Sequence, residues 1–368
     1  QSLTALTTGA RNLAIGYQAA TGLTTGESNT IIGHQAFDAA VDTESNNVAI
    51  GTYAMGAVDQ GTHANADADE NVCIGYNAGF GGDFGSSNVN FTDNVAVGAS
   101  AMDGTGTLEC RYNTFVGTSA GGGTWGAASE GNTGIGFLSM DAALYGATDN
   151  TAVGRDSLGA LTSGDNNVAI GKDAGLLLTS GVDNVAIGKG AMDAATNNSD
   201  NVAIGINALG AADAGEQGNT VIGTSAGVSI DDAASDYNVI IGAAAGSGGG
   251  AAMASCIVIG ANAMNSTAAN AQTGTIAIGH DALTALTSGT SNTAIGYQSL
   301  KALTTLSENT AVGYNAGLAL ITGGGNVIMG ANAFDASTTG DNNVVIGTDA
   351  GTAAGDVDDC VLVGLGAG

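Results

Sequence analysis

A chain of 368 residues with 62 glycines, no proline and only 4% aromatic residues lacks the bulk for the two or three globular cores its length suggests. Its 34 acidic and 6 basic residues, a formal net charge of −28, would repel a phosphate backbone or an anionic bilayer, which argues against nucleic-acid and membrane-surface binding. The glycines do not recur every third residue, so a collagen helix is excluded as well.

What does recur begins at Asn12-Leu13-Ala14-Ile15-Gly16 and returns as Asn167-Val168-Ala169-Ile170-Gly171, Asn184-Val185-Ala186-Ile187-Gly188 and Asn343-Val344-Val345-Ile346-Gly347. With the glycine as position 0, there are 20 copies from Gly16 to Gly364, and 17 of the 19 intervals are 17 to 19 residues long. A short period sustained along a chain is the mark of a solenoid, which grows along one axis without a new core for each hundred residues. Residues 1–368 therefore read as one continuous repeat domain. The two long intervals enlarge it at 56–71 and 79–94. The class is mainly β: a parallel β-solenoid of about 20 rungs.

Each position carries its own expectation. Position −4 is Asn in 17 of 20 copies. Stacked amides such as Asn167, Asn184, Asn201 and Asn219 predict a ladder, each donating to one neighbour and accepting from the other. Positions −3 and −1 are almost all Val, Ile or Thr, so a short strand is expected, with these two side chains facing into the coil. Position −2 is apolar too and should face the other way, which makes Ile31, Phe115, Val221, Ile240, Val258, Ile328, Val345 and Leu362 an oligomer face. Twenty stacked copies would form an apolar stripe about 90 Å long, too large to stay in water.

Position 0 needs a backbone conformation closed to other residues or a close backbone approach. Position +3 is always Ala or Ser, which suits a tight corner. Positions +4 and +7 are often large and apolar, as in Leu300 and Leu303. The second side of each rung is expected to be mostly extended, with a short helical turn as the alternative. Thr162-Ser163-Gly164-Asp165 and its relatives close the rungs.

Along the chain, the regular pattern is broken in few places. The first enlarged loop carries His63 and the carboxylates Asp67, Asp69 and Glu70; the second carries Phe80, Asp83, Phe84 and Phe91. Insertions in a solenoid can carry recognition or be tolerated decoration. Asp67, Asp69, Glu70 and Asp83 are weak calcium candidates whose spacing fits no calcium-loop pattern. Cys73, Cys110, Cys256 and Cys360 form no metal-ligand pattern and read as free thiols; Cys256 and Cys360 stand about 29 Å apart if rungs stack regularly.

Arg155, Lys172 and Lys189 occupy +1 in consecutive copies, beside Asp156 and Asp173, either as charge balance or as a dock for an acidic glycan or a neighbouring chain. Tyr297 and Tyr314, also at +1, suit either cross-rung packing or stacking against a sugar. No Ser-His-Asp set and no zinc motif emerges, and carboxylate pairs are mostly turn residues, so no enzyme is expected and no cofactor beyond possible calcium. No run of 18 apolar residues is present to span a membrane as a helix. Gln1 is not an initiator and the first residues are not a signal sequence, which points to a processed chain or a segment.

The pattern Asn-Val/Thr-Ala-Ile/Val-Gly-x-x-Ala/Ser, as in Asn292-Thr293-Ala294-Ile295-Gly296-Tyr297-Gln298-Ser299, resembles the head repeats of trimeric autotransporter adhesins and the similar repeats of bacteriophage tail fibres. The resemblance covers essentially the whole chain. It implies a left-handed parallel β-roll, three copies of which associate side by side. The period here is longer than in the adhesin heads, and no coiled-coil stalk or membrane anchor accompanies it, which favours the phage fibre. The expected function is non-enzymatic: a homotrimeric structural and adhesive fibre on a virion tail or cell surface, attaching to a glycan or protein receptor. The alternatives are a bacterial adhesin head or a subunit of a self-assembling extracellular filament. A monomeric ice-binding solenoid fits less well, because Thr and Val mix irregularly at −3 and that position is expected inward.

Overall fold

Three consecutive residues, −3 to −1, are extended in every copy, as β-branched side chains favour. The computed structural model describes residues 1–41, 43–59, 67–82, 89–213, 215–249, 251–266 and 271–368. It divides into two compact units, Gln1–Asp183 and Asn184–Gly368. Each is a parallel β-solenoid in which successive copies pair in strict register, for example Leu13 with Thr30 in the first unit and Val202 with Thr220 in the second. Nine such strands, from Leu13–Ile15 to Val168–Ile170, make eight turns in the first unit; eleven, from Val185–Ile187 to Val361–Val363, make ten in the second. No helix occurs among the described residues.

Why each strand stops after three residues is visible in the backbone. The residue before each Asn, such as Asp183, Asp200 and Asn342, is left-handed, with φ near +57°. On the other side the glycine at position 0 is also at positive φ, +133° at Gly188 and +142° at Gly205. A methyl carbon on Gly188 would lie 2.4 Å from the Gly205 carbonyl oxygen of the next turn. Both reasons for glycine therefore apply at once, a backbone region hostile to side chains and a close neighbouring backbone.

The strand faces are the reverse of the expectation. Position −2 points inward: Ile31, Phe115, Val221, Ile240, Val258, Ile328 and Val345 are all buried within a single chain, and Leu362 of the last turn is half-buried. They are core residues, not an oligomer face. Positions −3 and −1 point out. Inside the coil, −2 packs with −4, +3, +4 and +7, where Leu161, Leu286 and Leu303 are fully buried.

Volume at −2 and +4 is traded within most turns, with exceptions such as Ile31 and Phe37, both large. Large residues at −2 meet glycine at +4 in Cys73 and Gly79, Phe115 and Gly121, and Ile240 and Gly246. A methyl on Gly121 would come within 2.7 Å of the Phe115 ring. Small residues at −2 meet large ones at +4, as in Ala49 and Met55 or Ala203 and Leu209, all buried.

The second side of a turn is mostly neither strand nor helix. Positions 0 to +4 form a corner with left-handed residues at +2 and +4, such as Asp156 (φ 56°) and Leu158 (φ 48°). The return path depends on turn length at position −7. In many 17-residue turns it is glycine, as at Gly164 and Gly323, whose added methyl would lie 2.2 Å from the carbonyl oxygen of the turn above. In longer turns a side chain fills the extra interior, and short parallel strands form there. These are Phe91–Thr92, Cys110–Arg111 and Ser129–Glu130 in the first unit, and Met253–Ala254 with Gln272–Thr273 in the second.

Candidate functional site

Among the described residues, the polar side chains of the interior follow the repeat. Asn at −4 forms an amide ladder in both units. In the second unit the Asn184 Oδ1 accepts from the backbone N (3.1 Å) and Nδ2 (3.3 Å) of Asn201, whose own Oδ1 accepts from Asn219 N (2.9 Å) and Nδ2 (3.1 Å). Each Nδ2 also donates to the carbonyl at −7 of the next turn, as Asn167 does to Gly181 (2.8 Å) and Asn201 to Glu216 (2.8 Å). The ladder thus closes the polar edge of the core. It lapses where Cys256 and Thr275 replace Asn: Cys256 N still donates to Asn238 Oδ1 (2.9 Å), but the Thr275 hydroxyl is buried without a partner.

Cys73, Cys110 and Cys256 are free and buried, and Cys360 is free and half-buried. Burial pushes the Cys73 thiol up to about 12 and raises those of Cys110 and Cys256, so none of these three is a thiolate nucleophile near neutral pH.

The enlarged loops yield less than expected. His63, Asp83 and Phe84 lie outside the described residues. Phe91 is buried in the core, where it fills the −7 position of a 23-residue turn, so it is not a recognition residue. Phe80 is half-buried and packs edge-on against Tyr53, ring centroids 6.4 Å apart. Asp69 accepts a hydrogen bond from Ser45 N (2.6 Å), and its carboxyl is raised by desolvation and by Asp67 and Glu70 nearby. Asp67 bridges to Asn90 through its backbone. No group of three potential metal-ligating side chains is present among the described residues.

The outer strand face is the feature that demands an explanation. Position −1 is Ile, Val or Met and −3 is Val, Ile, Leu or Thr in every copy, with no charge in either column. In the first unit Ile15, Ile135 and Ile170 are 55%, 41% and 40% exposed, and in the second Ile257 and Met329 are 37% and 42% exposed. At the usual strand spacing these columns run about 38 Å in the first unit and about 48 Å in the second.

Position +1, one residue past the bend at the glycine, forms the margin of this face. In the first unit Tyr17 stacks on His34 at 5.4 Å; in the second His280, Tyr297 and Tyr314 form a continuous stack, with centroids 5.6 and 5.3 Å apart. Asp281 braces the stack, accepting from Lys301 Nζ (2.9 Å), Gln298 Nε2 (3.2 Å) and Asn262 Nδ2 (3.3 Å), and Lys301 foremost holds its carboxyl below the ordinary range.

Of the basic residues, Arg155 pairs with Asp156 (3.4 Å) and Lys172 with Asp173 in the first unit, each within its own turn. Lys189, in the first turn of the second unit, is followed by Gly190 instead of Asp. The three share a repeat position, but the two with carboxylate neighbours are internally neutralised.

Comparison with known proteins finds no matching family model, no matching curated protein and no matching solved structure.

Proposed function

We propose that the chain is a non-enzymatic structural and adhesive fibre protein, a side-by-side homotrimer acting as a segment of a bacteriophage tail fibre that attaches to a host surface. The observation that carries this reading is the uncharged Val/Thr-x-Ile/Val face repeated in all 20 copies of a chain whose net charge is −28. Thirty-four acidic residues are distributed over the sequence, yet none falls in either outer column. A contiguous apolar surface of this length is covered in a stable assembly. Three copies meeting face to face bury it, in the arrangement that the adhesin and tail-fibre resemblance implies. The columns that meet are −3 and −1; −2 is already occupied with each chain's own core. A bacterial surface adhesin head is the same assembly in another setting, on a cell surface instead of a virion.

The irregularity of Thr at −3, where it occupies 7 of 20 copies, weighs against an ice-binding array. The outward direction of that column does not, contrary to the inward direction expected from the sequence. Light scattering on the purified chain tests the fibre reading. The expected mass is about three times the 35.3 kDa of one chain, and a stable monomer at about 10 µM would overturn it.

A further inference from the structure

The three-ring stack of the second unit ends abruptly. Tyr297 and Tyr314 lie nearly parallel, 8° apart, so Tyr314 uses one face against Tyr297. Its other face looks toward the next turn, where +1 is Ala331, and the turn after that carries Thr348. The ring remains 54% exposed. Rings fill this column in three successive turns, and at Ala331 a methyl stands where a fourth would continue it. The result is a slot about one strand spacing deep, roughly 5 Å, floored by a rigid aromatic face. That depth matches the thickness of a single saturated six-membered ring.

Beside the slot, at +2, runs a second polar ladder. Asn315 Nδ2 donates to Asn332 Oδ1 (3.2 Å), and Asn332 Nδ2 donates to Asp349 Oδ1 (3.0 Å). Asn332 and Asp349 follow Ala331 and Thr348 directly, so this ladder runs one residue away from the ring column. An aromatic floor with hydrogen-bonding groups along one edge suits a ring with an apolar C–H face and equatorial hydroxyls. The carboxylate of Asp349 and the chain's net charge of −28 disfavour an acidic sugar. We propose that the open face of Tyr314 docks a neutral pyranose of a surface glycan. This deepens the adhesive reading above by assigning the receptor a chemical class. The stack lies past the bend at the glycine, outside the −3 and −1 columns through which chains are proposed to meet.

The test is saturation-transfer NMR on the full chain with the methyl glycosides of glucose, galactose and N-acetylglucosamine, with methyl glucuronide as the acidic counterpart. At least one neutral glycoside gives transfer concentrated on its ring C–H protons, and the glucuronide gives less. Tyr314→Leu, which caps Tyr297 without offering a ring, lowers the transfer about tenfold or more, Tyr314→Phe keeps it, and Ala331→Leu lowers it by covering the open face without adding another. Circular dichroism on each variant separates lost binding from lost fold. No transfer with any neutral glycoside, or undiminished transfer in a folded Tyr314→Leu or a folded Ala331→Leu, would overturn the proposal. Light scattering on the same samples keeps the two readings apart. A trimer that ignores sugars removes only the slot, whereas a monomer that binds them removes the fibre and leaves the slot.

Discussion

A single residue in this molecule is constrained by its position in the turn more than by its sequence neighbours, and Glu216 shows what that costs. It occupies −7 of an 18-residue turn, where many shorter turns place glycine, and it is fully buried. Asn198 Nδ2 donates to its Oε2 (2.7 Å), but its Oε1 has no partner. Burial raises its carboxyl above the ordinary glutamate range, and Asp213 and Asp231 add repulsion. A raised folded-state value means that the ionised form is disfavoured by folding. The penalty is full above the folded value and vanishes below the unfolded one. Glu216→Gln keeps the volume and the acceptor while removing the charge. It should therefore stabilise the neighbouring turns at neutral pH, with the gain shrinking as pH falls through the carboxylate range. Amide hydrogen exchange of residues 198–222 at two pH values measures this, and an equal gain at both would refute the assignment. Nothing in the local sequence around Glu216 marks it as buried. Only alignment on the glycine at position 0 places it at −7, opposite residues such as Gly164.

Among elements, the amide ladder could be read from the sequence and the strand faces could not. Asparagine held at one offset from the strand, turn after turn, stacks amide on amide, and a stack of amides bonds along its length wherever it is buried. A Val-Ala-Ile strand, in contrast, is apolar on both sides, and alternation alone cannot say which side is in. The useful signal lies between positions six residues apart: in most turns the size of −2 compensates the size of +4, as in Phe115 with Gly121 and Ala203 with Leu209. Residues that trade volume share a cavity, so −2 must face the core. The second side departs from expectation for a related reason. Leu300 and Leu303 suit one helical turn by spacing, but left-handed φ at Gln298 and Leu300 (54° and 47°) turns a corner there. The ladder's contribution is testable at Asn201. Asn201→Ala removes its own amide donors and strips the acceptor from Asn219 N and Nδ2, both buried. A cost on the order of 3 kcal/mol follows from orphaning those groups. Because a solenoid responds turn by turn, the loss should appear as faster amide exchange in the turns around Asn184, Asn201 and Asn219. Uniform loss across the second unit, or none, would contradict a ladder acting between neighbours.

For the whole molecule, the decisive property is the segregation of charge from the outer strand columns, and two adjacent residues separate its consequences. Val221 and Ile222 are neighbours in the chain with opposite fates: Val221 is buried inside one chain, and Ile222 stands on the outer face. If the outer face is what chains share, Ile222→Lys places a cation into each interface at equivalent positions, where like charges meet with little water. The variant should remain folded, with the circular dichroism of a solenoid, but scatter light as a monomer. Val221→Lys has no such choice. It buries an ammonium among Gly227, Ile240 and the other inward side chains, and it should disrupt its own and adjacent turns by roughly 3 kcal/mol or more whatever the assembly state. The pair therefore separates folding from association. Two results would sink the fibre: a trimer unaffected by Ile222→Lys, which would move the interface elsewhere, or a wild-type monomer. Salt sharpens the same comparison. Chains carrying −28 each repel at long range while their neutral faces attract at contact, so added salt should tighten wild-type association. It should leave Ile222→Lys dissociated, because a desolvated charge at an interface is only weakly screened.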